Sequence, residues 1–223
     1  DCSYGFRPGR SAHDAVRTLK QIVDGGEVRW IFEADIVSFF DSLDRTELKK
    51  MLEVRVADGS LLRLIGKCLH VGVLDGEAYV EPELGTAQGS VLSPLLGNVY
   101  LHYVLDRWFE TEVKPRLQGQ ATLIRYCDDF IITGSSYELL EHEVKPLVAQ
   151  FLGERGLELS PTKTHLTSIE DGFDFLGQHL RKYAGKLIIK PARKNVKTFL
   201  EHIREVVKAH KQTTAGILIA QLN

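Results

Sequence analysis

An α/β or α+β fold, with an antiparallel core and helices mainly on one face, is what the sequence predicts, and α+β is the class expected. Three observations carry that expectation. Short β-prone runs such as Trp30-Ile31-Phe32-Glu33-Ala34 alternate with longer stretches of helical period. Two such runs, Leu123-Ile124 and Phe130-Ile131-Ile132, flank the polar pair Asp128-Asp129 closely enough to fold back as a hairpin. At 223 residues and 43% hydrophobic, the chain can bury a substantial core, in one domain or one domain plus an appendage.

The elements follow in order. Ser11 is placed to cap a helix running to about Val23, closed by Gly25-Gly26. Trp30–Ile36 reads as a strand with Trp30, Phe32, Ala34 and Ile36 on one face and Ile31, Glu33 and Asp35 on the other. Helical stretches near 44–56 and 60–70 come next, then a β-hairpin turning at Asp75-Gly76. Gly85–Ser90 is a loop. Ser93-Pro94 opens a long helix, Ser as cap and Pro in the first turn. Leu96, Val99, Tyr103 and the region around Trp108 supply its buried stripe until Lys114-Pro115 ends it. After the aspartate hairpin come a helix near 136–154, short strands between 164 and 190, and a basic helix near 192–210. Tyr183–Pro191, punctuated by Gly185 and Pro191, is the nearest candidate for a domain boundary.

Asp128-Asp129 is the most informative pair. Neighbours in a regular strand point to opposite faces, so only a turn at the pair would present both acids to one pocket. Two carboxylates crowded there repel unless cations neutralise them, and hard oxygen ligands of this kind suit Mg²⁺. A solvated Asp-Asp turn is the plain alternative for the pair alone. Asp35, ending an apolar strand before Phe39-Phe40 and Asp41-Ser42, is a third acid in a similar setting. Glu33 points the same way but sits deeper in the strand.

Charge is unevenly distributed. The net charge is −2, yet residues 181–211 hold ten Lys or Arg against Glu201 and Glu205, a local +8, which leaves −10 on residues 1–180. Such a basic tail suits phosphate contacts, although a solvated helix face would look the same. Cys2, Cys68 and Cys127 are too few and scattered for a disulfide framework or zinc site, and fit a reduced cytosolic compartment. No apolar run approaches membrane-spanning length. Met51 is the only methionine, so the chain is expected to start inside a longer protein.

Six blocks together resemble the group II intron reverse transcriptases. They are Tyr4–Val16 (Tyr-Gly-Phe-Arg-Pro-Gly-Arg-Ser-Ala-His-Asp-Ala-Val), Asp35–Asp44, Gly85–Leu96, Arg125–Ile132, Gly156–Thr164 (Gly-Leu-Glu-Leu-Ser-Pro-Thr-Lys-Thr) and Phe173–Gly177, in the family's order. Beyond them, 190–223 resembles the opening of the family's thumb, or maturase, region. Two blocks depart from the family pattern. Cys127 stands where Ala is usual, and Ala87-Gln88-Gly89-Ser90 replaces Pro-Gln-Gly-Gly.

The resemblance implies a polymerase palm with part of the fingers and the start of a helical thumb. Residues 1–185 would form the reverse transcriptase domain and 186–223 the start of the thumb. The family's first fingers block would precede residue 1 and the thumb stops soon after it starts, so a complete carboxylate triad does not by itself imply that this chain is active alone. The implied reaction is two-metal nucleotidyl transfer from a dNTP to a primer 3′-hydroxyl. Two Mg²⁺ ions, with Mn²⁺ as a substitute, would be held by Asp35, Asp128, Asp129 and the Ile36 carbonyl. Phe40 matches the aromatic gate under the sugar, with a core phenylalanine as the alternative. Gln88-Gly89 matches the loop lining the incoming nucleotide, and Lys163 a position facing the triphosphate. Arg193, Lys194 and Lys197 are candidates for nucleic-acid contacts. Implied partners are an intron RNA template, a DNA primer or target, and dNTP, in a bacterial cytoplasm. An RNA-binding splicing cofactor without polymerase activity, or a CRISPR-associated reverse transcriptase, would use much the same sequence.

Overall fold

The computed structural model describes residues 2–69, 73–75, 78–80, 85, 91–210, 216 and 219–220. Gln88 and Gly89 lie outside the described residues, with most of the loop expected between Gly85 and Ser90. The chain divides into two compact units, Asp1–Ile169 and Glu170–Asn223.

In the first unit, helix α1 (Ala12–Gly25) starts where Ser11 and Asp14 exchange reciprocal side-chain and backbone hydrogen bonds, a capping box that satisfies two terminal amide groups. Strand β1 (Trp30–Ala34) follows, then a single helical turn α2 (Phe39–Ser42) and the helices α3 (Arg45–Glu53) and α4 (Gly59–Leu69). Asp44 caps α3 by accepting from the amides of Thr46 and Glu47. Strands β2 (Val73–Asp75) and β3 (Ala78–Val80) pair antiparallel with Asp75 opposite Ala78, and Gly76 of the expected turn lies outside the described residues. Helix α5 (Ser93–Leu101) is capped by Leu92 without a side-chain bond; Ser93 is already helical and buried, which corrects its expected role as the cap.

The helical path of α5 continues through π-helical turns, His102–Arg107 and Phe109–Val113. These wider turns move the buried stripe. Tyr100, Val104, Phe109 and Val113 line it, whereas the expected Val99 and Tyr103 are only half-buried. A strict helical period misses this because a π turn adds a residue to the repeat. Strands β4 (Ala121–Tyr126) and β5 (Asp129–Gly134), helix α6 (Lys145–Gly153, preceded by a π-helical turn) and strand β6 (His165–Ser168) complete the unit.

The sheet has the order β4-β5-β1-β6, every neighbour antiparallel. One face carries the main core. Phe32, Ala34 and Ile36 join Leu123, Phe130 and Ile132 there, against Leu48 of α3, Leu96 of α5 and Val148 of α6. Trp108 stacks on Phe151 at 3.9 Å between ring centroids, locking the extension of α5 to α6. Ile31, Ile124 and Ile131 are buried outside this cluster, as their alternation requires, and α1 contacts β4. The fold is α+β, with helices mainly on one face of an antiparallel sheet.

The second unit is an antiparallel meander of β7 (Phe173–Phe175), β8 (Gln178–Tyr183) and β9 (Lys186–Pro191), followed by helix α7 (Arg193–Ala209). Ala184 and Gly185 both take positive φ (49° and 80°) between the paired residues Tyr183 and Lys186, the signature of a type I′ hairpin turn. The stretch 183–191, whose punctuation suggests a boundary, is therefore a hairpin inside this unit. Among the described residues no helix is long and apolar enough to cross a membrane.

Candidate active site

Antiparallel pairing brings distant acids to one end of the sheet. The register sets Ala34 opposite Phe130, so the next step along both chains faces Asp35 with Asp129. Opposed residues of this kind lie roughly 4.5–5.5 Å apart at Cα, with side chains on the same face. Here that face is the one away from the main core, shared with Glu33 and Ile131. Asp128 occupies the adjoining two-residue turn, Cys127-Asp128, between the paired Tyr126 and Asp129. A turn, not a continued strand, separates the two acids.

The electrostatics agree with this placement. Asp129 is exposed at the start of β5, yet partial desolvation of its carboxyl, then the negative charges of Asp128 and Asp35, push it above its ordinary value, and Lys163 partly offsets them. The Lys163 ammonium donates to Asp35 Oδ2 at 3.0 Å, and that bond, with the neighbouring acids, raises the Lys163 pKa. The backbone fixes this pair. Ser160 N–H donates to the Asp35 carbonyl at 2.8 Å, and Ser160 O accepts from the amides of Lys163 and Thr164 in the turn that follows. Val37 N–H donates to Glu158 O, closing a bridge between Ile36 and Leu159. That bridge uses the Asp35 carbonyl and the Val37 amide. By strand alternation the Ile36 carbonyl turns the other way, towards the side of the sheet that holds the aspartate hairpin.

Glu33, one turn of the pleat deeper, accepts from the Thr167 hydroxyl at 2.6 Å and is tied into the sheet. Among the described residues no three acid, imidazole or thiol groups are already drawn tightly enough to hold an ion. The donor set nonetheless fits a hard cation: carboxylate oxygens that repel one another, a carbonyl oxygen beside them, and a neighbouring ammonium drawn to them.

Phe40 and Phe39 separate as neighbours on a helical turn should. Phe39 is buried, and Phe40 is half-buried, packed edge-on to it at 5.1 Å. A Cβ at Gly97 would come within 3.0 Å of both rings, so α5 approaches closely there. Gly85 (φ 79°) leaves even less room. A Cβ there would lie 2.4 Å from the Phe40 carbonyl oxygen, while its amide donates to Leu43 O and its carbonyl accepts from Arg45 Nε. Gly85 thus ties the start of the Gly85–Ser90 segment to the Phe40 turn; Gln88 and Gly89 themselves lie outside the described residues. Arg193, Lys194 and Lys197 are exposed on the first turns of α7, in the second unit.

Beneath the hairpin is a group that the motif reading does not single out. Arg125 is 1% exposed and forms a two-pronged ion pair with Asp106, Nε to Oδ1 and Nη2 to Oδ2, both 2.6 Å. Nη1 donates to Asn98 Oδ1 (2.8 Å) and to the Cys127 carbonyl (2.6 Å), and Nη2 to Ser3 Oγ (2.9 Å). The signal in the sequence is a charge inside an apolar run, Leu123-Ile124-Arg125, with an acid, Asp106, directly after the apolar Tyr103-Val104-Leu105. Cys127 is buried beside Asp128, and both effects push its thiol pKa up to about 12, so it is no nucleophile at neutral pH.

Residues 1–180 match the family model described as reverse transcriptase (RNA-dependent DNA polymerase). Protein YkfC of Escherichia coli is 34% identical over 210 residues, covering 80% of this chain and 54% of that protein. The group II intron-encoded protein LtrA of Lactococcus lactis subsp. cremoris is 42% identical over 169 residues, covering 76% of this chain and 27% of LtrA. The chain thus spans about half the length of the first relative and about a quarter of the second. Among solved structures, apo telomerase from Candida tropicalis superposes with a TM-score of 0.65 at 16% identity, over 85% of this chain and 37% of that one. This likeness is one of fold.

Proposed function

The chain belongs to the reverse transcriptase family, and from that premise we propose that it extends a DNA primer along an RNA template at the Asp35, Asp128 and Asp129 carboxylates. The observation that carries this reading is the register that faces Asp35 with Asp129 and leaves Asp128 in the adjoining turn. Two Mg²⁺ ions, with Mn²⁺ as a substitute, would be held by Asp35, Asp128, Asp129 and the Ile36 carbonyl, and would supply a lowered pKa for the primer hydroxyl and neutralisation of the leaving pyrophosphate.

The remaining roles belong to the chain's own groups. Phe40, half-buried on its turn, forms the floor under the incoming sugar and excludes a 2′-hydroxyl. Lys163, poised on Asp35, exchanges that partner for the triphosphate and hands a proton to the departing pyrophosphate. Gln88 and Gly89 line the nucleotide, with Gly permitting close approach of the backbone. Arg193, Lys194 and Lys197 meet nucleic-acid phosphates, sequence-independently and in a salt-dependent way. Residues 1–185 then correspond to palm and partial fingers, and 186–223 to the start of the thumb.

The likeness to LtrA, a group II intron-encoded protein, supports intron RNA as the template and its DNA target as the primer, with splicing assistance by the same polypeptide in a bacterial cytoplasm. The deciding experiment is primer extension on poly(rA)/oligo(dT) with Mg²⁺, using the full-length protein. Extension that vanishes without divalent ion is expected. Tight binding to intron RNA with no extension would replace this reading with that of a splicing cofactor that does no chemistry.

A further inference from the structure

We propose that Arg125 is a positioning residue that sets the backbone of the Cys127-Asp128 turn and thereby aims the Asp128 carboxylate. This rests on the reading of Asp128 as a metal-holding group. Cys127 has φ 58° and Asp128 does not share a positive φ, so only the first central residue of this two-residue turn is left-handed. That is the pattern of a II′ turn, which favours Gly at the first position. A cysteine there has its Cβ against the backbone and would relax unless something holds it.

Two contacts hold it from opposite sides. Arg125 Nη1 donates to the Cys127 carbonyl at 2.6 Å, and Gly5 packs so closely on the Cys127 amide nitrogen that a Cβ at Gly5 would lie 2.5 Å from it. The contacts are linked through Asn98, which accepts from Arg125 and donates through Nδ2 to the Gly5 carbonyl at 2.7 Å. Every guanidinium N–H has an acceptor: Asp106 takes two, and Asn98, Cys127 and Ser3 take one each. The segment behind the turn is itself fastened to β4, because Arg125 N–H donates to Cys2 O and Tyr4 N–H to Arg125 O. A planar fork with five donors can serve all these acceptors together; an ammonium, with three, cannot.

Arg125→Lys in the full-length protein is the test, because it keeps the charge opposite Asp106 while losing the reach to Cys127. In metal-free protein, amide hydrogen exchange over 126–129 should rise about tenfold or more, as expected for losing one charge-assisted hydrogen bond. Exchange of the β1 amides should not change. In primer extension, kcat should fall by about tenfold or more, with primer–template affinity retained. Adding Cys127→Gly, which needs no holding at positive φ, should shrink the penalty of Arg125→Lys to about threefold or less. If Arg125→Lys does not fold, Asn98→Ala serves instead and should loosen the same amides selectively. Unchanged exchange over 126–129 in a folded variant, or an undiminished penalty in the glycine background, overturns the proposal. The exchange measurement stands even if the native protein extends no primer, so failure of the polymerase reading is told apart from failure of this one.

Discussion

Within the hairpin of β4 and β5, Arg125 and the Asp128-Asp129 pair are close neighbours in sequence, and the fold treats their charges in opposite ways. Arg125 is buried and every one of its donors is matched, with Asp106 supplying the full countercharge. The acids are crowded against Asp35 with one exposed lysine as partial relief, and Asp129 binds its proton more tightly as a result. A buried charge with saturated partners makes a rigid support. A cluster left short of positive charge is, under the proposed function, the receptor for cations. Structural charge is neutralised locally; the charge assigned to the proposed reaction is left for a ligand.

The sharpest way to break this comparison is at the receptor. Asp128→Ala should lower primer extension by at least about a thousandfold, because the metal-assisted displacement contributes several kcal/mol of transition-state stabilisation. Its melting temperature without metal should not fall, since the side chain it removes is a repelling one. Wild-type extension by a folded Asp128→Ala protein would remove the proposed function.

The support should fail differently. Asp106→Ala leaves the Arg125 guanidinium buried without its countercharge, a loss of about 3–5 kcal/mol by comparison with other broken buried pairs. Urea unfolding would measure it as a lower midpoint with unchanged slope. A loss below about 1 kcal/mol, the range of exposed pairs, would show that water reaches the guanidinium.

How much of this could be read from the chain depends on the range of the interaction. Ser11 announces α1 because a cap is local, and the alternation of Trp30–Ile36 assigns Asp35 to the face opposite Phe32 because a pleat has period two. That Asp35 meets Asp129 rests on pairing across about a hundred residues, which no local pattern encodes; the blocks shared with known reverse transcriptases pointed to it. The stripe on α5 was misplaced because π-helical turns change the period without a clear residue signature. Ser93 looked like a cap and is the first helical residue. The Arg125 fork is not legible because its acceptors come from three segments, Ser3 near the N-terminus, Asn98 and Asp106 on α5 and its extension, and Cys127 in the hairpin turn.

Lys163 tests how far the cluster depends on the cation paired with Asp35. Lys163→Met should reduce the rate of nucleotide addition by roughly a hundredfold or more if the ammonium protonates pyrophosphate, the usual contribution of a general acid. The loss should appear in kcat measured in single-turnover mode. A change in stability beyond about 1 kcal/mol is not expected, because the Lys163 side chain is largely exposed.

The smallest effect is the most direct probe of crowding. The Asp129 carboxyl titrates above its ordinary value in the folded chain, because partial desolvation and the Asp128 and Asp35 charges disfavour its ionised form. A group raised in this way favours folding while protonated: its contribution is complete below the ordinary carboxylate pKa and is lost as pH rises through the raised one. At neutral pH the ionised Asp129 therefore works against the metal-free fold. Asp129→Asn should raise the metal-free melting temperature at pH 7 by about 1–2 °C, a modest gain because solvent screens a partly exposed group. The gain should disappear near pH 3, where the native carboxyl is protonated in both states. Mg²⁺ should reverse the order at pH 7, stabilising the native protein more than the variant, since bound cation turns the same carboxylate from a repelling group into a ligand. Calorimetric scans of both proteins, with and without Mg²⁺, would decide it: equal melting temperatures for the metal-free pair at pH 7 would mean that the three acids do not sense one another.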